Sequence, residues 1–196
     1  MRSPESQLAL ARAMLEELES YLLSKELLWP LSRHAPPGEP PYPRLTLGNL
    51  LLTLDALGAM EDALPPTQAA RVQELKTRLQ ALKGKHAAAM QAKAVQEARM
   101  RANLWKAFLQ DLDERRDEPQ RIGQEVHHRL MAARLREFIF DDRQWEALEG
   151  RLRAADRRLD AHFAPGPFLL EPALRKIYPR QDFPFLYLKP KAAGPA

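Results

Sequence analysis

Glu125 and His128 stand three residues apart in the stretch GQEVHHRL, the spacing at which a helix offers a carboxylate and an imidazole to one metal ion. A helical di-metal site of that kind needs a second Glu-x-x-His on a facing helix and two more carboxylates. No second copy occurs, since Lys83 holds the matching position before His86. His127 and His128 project about 100° apart on a helix, so the two do not readily share an ion. The plainer reading is a basic helix with its histidines at a boundary or on the surface. A carboxylate–histidine metal enzyme is therefore the last of three functional readings.

Other chemistries find less. The chain has no cysteine, which removes disulfides, thiolate zinc sites and cysteine nucleophiles. Neither phosphate-loop pattern is present; LKGKH sets a lone glycine between lysines, where such loops need several glycines between a strand and a helix. There is no G-x-S-x-G, and the serines (Ser3, Ser6, Ser20, Ser24 and Ser32) all fall in or beside the first helix. Asp141 and Asp142 read as a helix cap, and Glu16, Glu17 and Glu19 as a solvated face. No catalytic, metal or cofactor-binding residue is assigned, and no cofactor is implied.

Charge gives the second reading. The formal net charge is +4. Between Arg71 and Lys106 nine basic residues face only Glu74 and Glu97. Such a stretch neutralises phosphates and would bind nucleic acid in a salt-sensitive way, with Lys76, Lys83, Lys85 and Lys93 as candidate contacts. Against it, the charges spread around a helix instead of forming one stripe, and the stretch carries no aromatic–basic platform.

The third feature is the tail RKIYPRQDFPFLYLKP. Glu171-Pro172 starts a short helix that ends at Tyr178 before Pro179. DFPFLYLKP then reads as extended, with Phe183, Phe185 and Tyr187 on one face. Tyr178, Phe183, Phe185 and Tyr187 are the candidate partner-binding residues. The first expected use of the segment is packing on its own bundle near the first two helices, where Trp29 and Tyr42 also lie. Exchange with a second copy and docking to a separate partner are the others.

The body that must carry these residues is all-α. Three Ile, three Val and four Thr are set against abundant Leu, Ala, Arg and Glu, side chains that lose little freedom in a helix. Ser3, Pro4 and Glu5 open a helix that runs over about 4–28, ending before Pro30. HAPPGEPPYPRL is a surface loop. Thr46 caps a second helix, about 47–62, apolar on nearly all sides. No proline interrupts Thr67 to Glu118, so one helix is expected over 67–117, about 75 Å long, with Gly84 as the one place for a break. Helices over about 120–139 and 142–163 return along it. The expected fold is a helical bundle with a long antiparallel, coiled-coil-like hairpin over residues 1–164, followed by an extended aromatic and proline-rich segment over 165–196 with one short helix. The last residues, KAAGPA, are expected to be disordered.

The N-terminus lacks a signal-type apolar run. The most apolar window, Leu45 to Met60, is too short to span a bilayer and carries Asp55, so the expected location is the cytoplasm, without membrane contact. The leading functional reading is a non-enzymatic adaptor, scaffold or subunit of a protein complex, its partner another protein or a second copy of itself.

Overall fold

The computed structural model describes residues 2–114 and 118–191. Among the described residues the fold is all-α apart from one small two-stranded ladder. Contacts divide the chain into two compact units. The first holds the residues up to Glu97 together with Arg134–Phe140; the second holds Ala98–Ala133 and the residues from Asp141 onward. The expected division at Ala164 is not where the contacts separate.

In the first unit, Ser3 accepts a hydrogen bond from the Ser6 N–H at 3.2 Å and Pro4 opens α1 (Pro4–Leu23). The helix stops short of the expected Leu28. Ser24 leaves the helical region, and its hydroxyl donates to the Tyr21 carbonyl at 2.8 Å, an alternative to a further helical turn. The proline loop folds back along α1. Trp29 and Leu45 exchange backbone hydrogen bonds at 3.1 and 2.8 Å, and the Trp29 indole donates to Glu17 at 2.8 Å. Gly38, with φ of 85°, makes the loop's turn in the left-handed region that suits glycine.

Thr46 caps α2 (Leu47–Met60) by accepting from the Asn49 N–H at 3.1 Å. The fully buried Glu97 carboxylate accepts from the Gly48 N–H at 3.0 Å, placing a negative charge at the positive end of that helix. The long helix expected over 67–117 appears as α3 (Pro66–Lys85) and α4 (Ala87–Asp113). They meet at His86, not at Gly84. His86 has φ −123° and ψ 31°, yet its N–H still reaches the Leu82 carbonyl and its own carbonyl accepts from Met90, both at 2.9 Å. Tertiary contact accounts for the place of the break: Lys85 and His86 both reach Glu19 of α1, at 2.8 and 3.1 Å. α3 runs parallel to α1, since Gln68 donates to Glu5 near the two starts and Lys85 to Glu19 near the two ends. Leu15, Leu18, Tyr21, Leu50, Leu57, Val72 and Phe138 fill the core between these helices. Phe138 arrives on the 3-10 turn Leu135–Phe138, and Arg134 beside it forks onto Asp55 at 2.8 and 3.1 Å.

In the second unit, α5 (Ile122–Arg134) follows a 3-10 turn, Pro119–Arg121. It returns antiparallel to α4, with His128 beside Arg101. Asp141 accepts from the Arg143 and Gln144 N–H groups and caps α6 (Asp142–Asp156). α6 runs parallel to α4: Arg151 donates to Asn103 at 2.9 Å, and Asp113 pairs with Arg158 and His162 further along. The helix expected over 142–163 is divided, α7 (Leu159–His162) being a separate turn. β1 (Phe163–Pro165) then pairs antiparallel with β2 (Leu188–Pro190), Ala164 opposite Lys189. The terminal residues expected to be disordered and the end of the expected helix at 115–117 lie largely outside the described residues. Among the described residues, no helix is long and apolar enough to cross a membrane.

Candidate functional site

The tail is built into the second unit, whereas the expectation placed it beside α1 and α2 of the first. Its geometry also differs from the expected strand. Pro184 opens a 3-10 turn, Pro184–Leu186, because proline has no N–H for a ladder and its fixed φ suits a helical first position. Phe185, Leu186 and Tyr187 are consecutive and all buried, so no alternating aromatic face forms. The short helix expected to end at Tyr178 is a 3-10 turn over Pro172–Lys176.

The four aromatic candidates are nevertheless brought together. Tyr178 meets Phe183 edge-on at 5.0 Å, Phe183 meets Phe185 at 6.0 Å, and the Tyr187 hydroxyl donates to the Tyr178 carbonyl at 2.7 Å. Tyr178, Phe185 and Tyr187 are buried, and Phe183 is half-buried. Burying aromatics of this size contributes on the order of 1.5–3 kcal/mol each, which makes them core of the unit as well as a platform.

Two guanidiniums stand on that platform. Arg129 of α5 lies over the Phe185 ring at 4.3 Å, and Arg180 lies over Tyr187 at 5.9 Å. Arg129 is positioned by Asp156 of α6, to which its Nε donates at 2.9 and 3.1 Å. Asp156 also accepts from the buried Trp105 indole at 2.8 Å, so one carboxylate joins α4, α5 and α6 beneath the tail. A cleft of about 520 Å³ opens beside this group. Phe185, Tyr187 and Leu188 supply its apolar wall, and Arg129, Arg180 and Asp182 supply charge. Aromatic surface with a few oriented charges suits a side chain that is part apolar and part polar.

Sequence reasoning found Phe185 and Tyr187 but missed Arg129, Arg180 and Asp156. Trp105 held a usable signal, since a buried indole N–H needs an acceptor. The acceptor's position fifty residues on in the chain was not readable.

The other candidates occupy local contacts. Lys76 pairs with Glu61 at 2.7 Å, and Lys85 with Glu19 at 2.8 Å. Lys83 lies 3.9 Å from Glu137 and over the Phe138 ring at 5.3 Å. Lys93 is buried over the Tyr21 ring at 4.6 Å and donates to the Glu26 carbonyl just past α1. That burial pushes its ammonium pKa down. These four lysines are held by four different neighbours.

Glu125 and His128 do approach, His128 Nε2 lying 3.8 Å from the carboxylate. Arg101 donates to His128 Nδ1 at 3.2 Å, however, placing a cation beside the same imidazole. Burial, with Arg101 and His127 nearby, pushes the imidazole down to about 4. Glu125 also binds Arg121. Among the described residues, no group of three or more His, Cys, Asp or Glu side chains is placed to hold an ion.

No protein-family model, no curated protein and no solved structure matches this chain.

Proposed function

We propose that the chain is a non-enzymatic helical adaptor or subunit of a protein complex, and that a segment of a partner protein seats in the cleft beside the tail. The observation that carries the reading is the pair of guanidiniums, Arg129 and Arg180, set over Phe185 and Tyr187 at the edge of a concave surface. Aromatic and arginine side chains set together at a concave surface anchor protein interfaces. The groups best suited to acid–base chemistry are engaged in holding helices: Asp156 on Trp105 and Arg129, Glu97 on the Gly48 N–H, His128 on Arg101.

The test is co-purification from the native host after nuclease treatment, with the wild-type chain and an Arg180→Glu variant as parallel baits. Arg180 is exposed, so charge reversal there leaves the buried aromatics in place. A stoichiometric protein held by the wild type and weakened by at least about tenfold in the variant is the expected outcome. Equal retention by both baits would move the interface elsewhere. Recovery of nucleic acid alone, and only when the nuclease is omitted, would sink the adaptor reading.

A further inference from the structure

Arg99 of α4 and Arg143 and Arg151 of α6 line one groove of about 400 Å³, with Gln144, Ala147 and Leu148 completing it. All six lining residues belong to the second unit. No carboxylate lines the groove. None of the three arginine side chains has a carboxylate partner among the described residues; Arg151 donates to the Asn103 amide oxygen at 2.9 Å, and Arg143 uses its backbone N–H on Asp141. Arg12, Arg33, Arg121, Arg129, Arg134, Arg153 and Arg158, by contrast, each meet an acid. The parallel course of α4 and α6 is what collects the three like charges.

We propose that this groove is a binding site for a multiply charged phosphoryl group. Three guanidiniums present about fifteen N–H donors in rigid forks, more than the roughly four acceptor sites of one carboxylate can use. A phosphoryl group, with three strongly accepting oxygens and close to two charges, takes up more of these donors and offsets more of the charge than a carboxylate does. The lining has no aromatic side chain on which a nucleobase would stack, so the groove recognises the phosphoryl group and not a base. The site is independent of the tail cleft and of the adaptor reading.

The probe is inorganic pyrophosphate, titrated calorimetrically at constant ionic strength. Saturable one-to-one binding is expected, weakened at least about tenfold in Arg99→Gln/Arg143→Gln/Arg151→Gln. An Arg71→Gln/Arg78→Gln chain, altered in the separate groove between α1 and α3, should bind as the wild type does. Arg99→Gln alone serves if the triple variant melts lower. Sedimentation with phosphatidylcholine vesicles, with and without phosphatidylinositol 4-phosphate, separates the sources. Arginine-dependent binding to the phosphorylated vesicles identifies a lipid headgroup; pyrophosphate binding without it identifies a soluble phosphoryl compound. Equal affinity for the tricarboxylate tricarballylate would overturn the proposal, as would binding that does not saturate or that survives in the triple variant.

Discussion

His128 accepts a hydrogen bond from Arg101 through Nδ1, a role open only to the neutral imidazole. Its folded-state pKa of about 4 lies below the ordinary value of 6.5, chiefly because the ring is buried. Between those two values the unfolded chain binds the proton and the folded chain does not. Stability from this group is therefore complete above about pH 6.5 and falls as the pH drops toward 4. The loss should be roughly 1 kcal/mol, allowing for the solvent that still reaches the ring. Urea unfolding at about pH 7 and about pH 5 measures it, and His128→Gln should flatten the difference. An unchanged pH dependence in that variant would assign the effect to other groups. The same residue shows what sequence hides. Glu125 and His128 share a helical face, as their spacing says, but the group that decides their chemistry is Arg101, brought beside them by the antiparallel course of α4 and α5. Lys93 makes the same point, a candidate nucleic-acid contact in the sequence that is buried at the end of α1.

The helices were legible where local physics is decisive. Ser3, Thr46 and Asp141 cap as their types and positions imply, and the three-to-four-residue apolar steps locate the buried faces. Legibility failed where a distant contact competes with local preference. Propensity favours an unbroken helix across His86, and Glu19 contributes to the break. Alternating aromatics favour a strand at 183–187, and Pro184 with core burial turns them into a 3-10 turn. The tail is fastened by β1 and β2, and Gly166 lies hard against β2. A Cβ there would lie 2.6 Å from the backbone of Leu188 and Lys189, atoms that have no room to give. Gly166→Ala should destabilise the chain by about 1–3 kcal/mol. Gly84→Ala, at a helical site where a Cβ meets nothing within 4 Å, should stabilise it by about 0.5–1 kcal/mol. Thermal unfolding of the two variants checks both signs; similar shifts in one direction would contradict the packing described.

The two-unit division makes a sharper statement about the tail than its composition does. A chain ending at Ala164 would lose the strand opposite β1 and the buried side chains of Tyr178, Phe185, Leu186 and Tyr187. That burial sums to about 6–12 kcal/mol, an upper bound comparable with the whole stability of a typical domain. The truncated chain should lose protease resistance in α5 and α6 while α1 and α2 stay protected. Retained resistance throughout would show that the tail is an appendage. The first unit is also discontinuous, because Arg134–Phe140, which carries the buried Phe138 and the fork onto Asp55, comes after most of α4 and α5 in the chain. On a ribosome adding roughly 5–20 residues each second, the helices up to Glu97 emerge some seconds before the segment that completes their core. Nascent α1, α2 and α3 must therefore wait with the site for Phe138 uncovered, and the order of synthesis opens an interval in which that apolar site faces chaperones and aggregation.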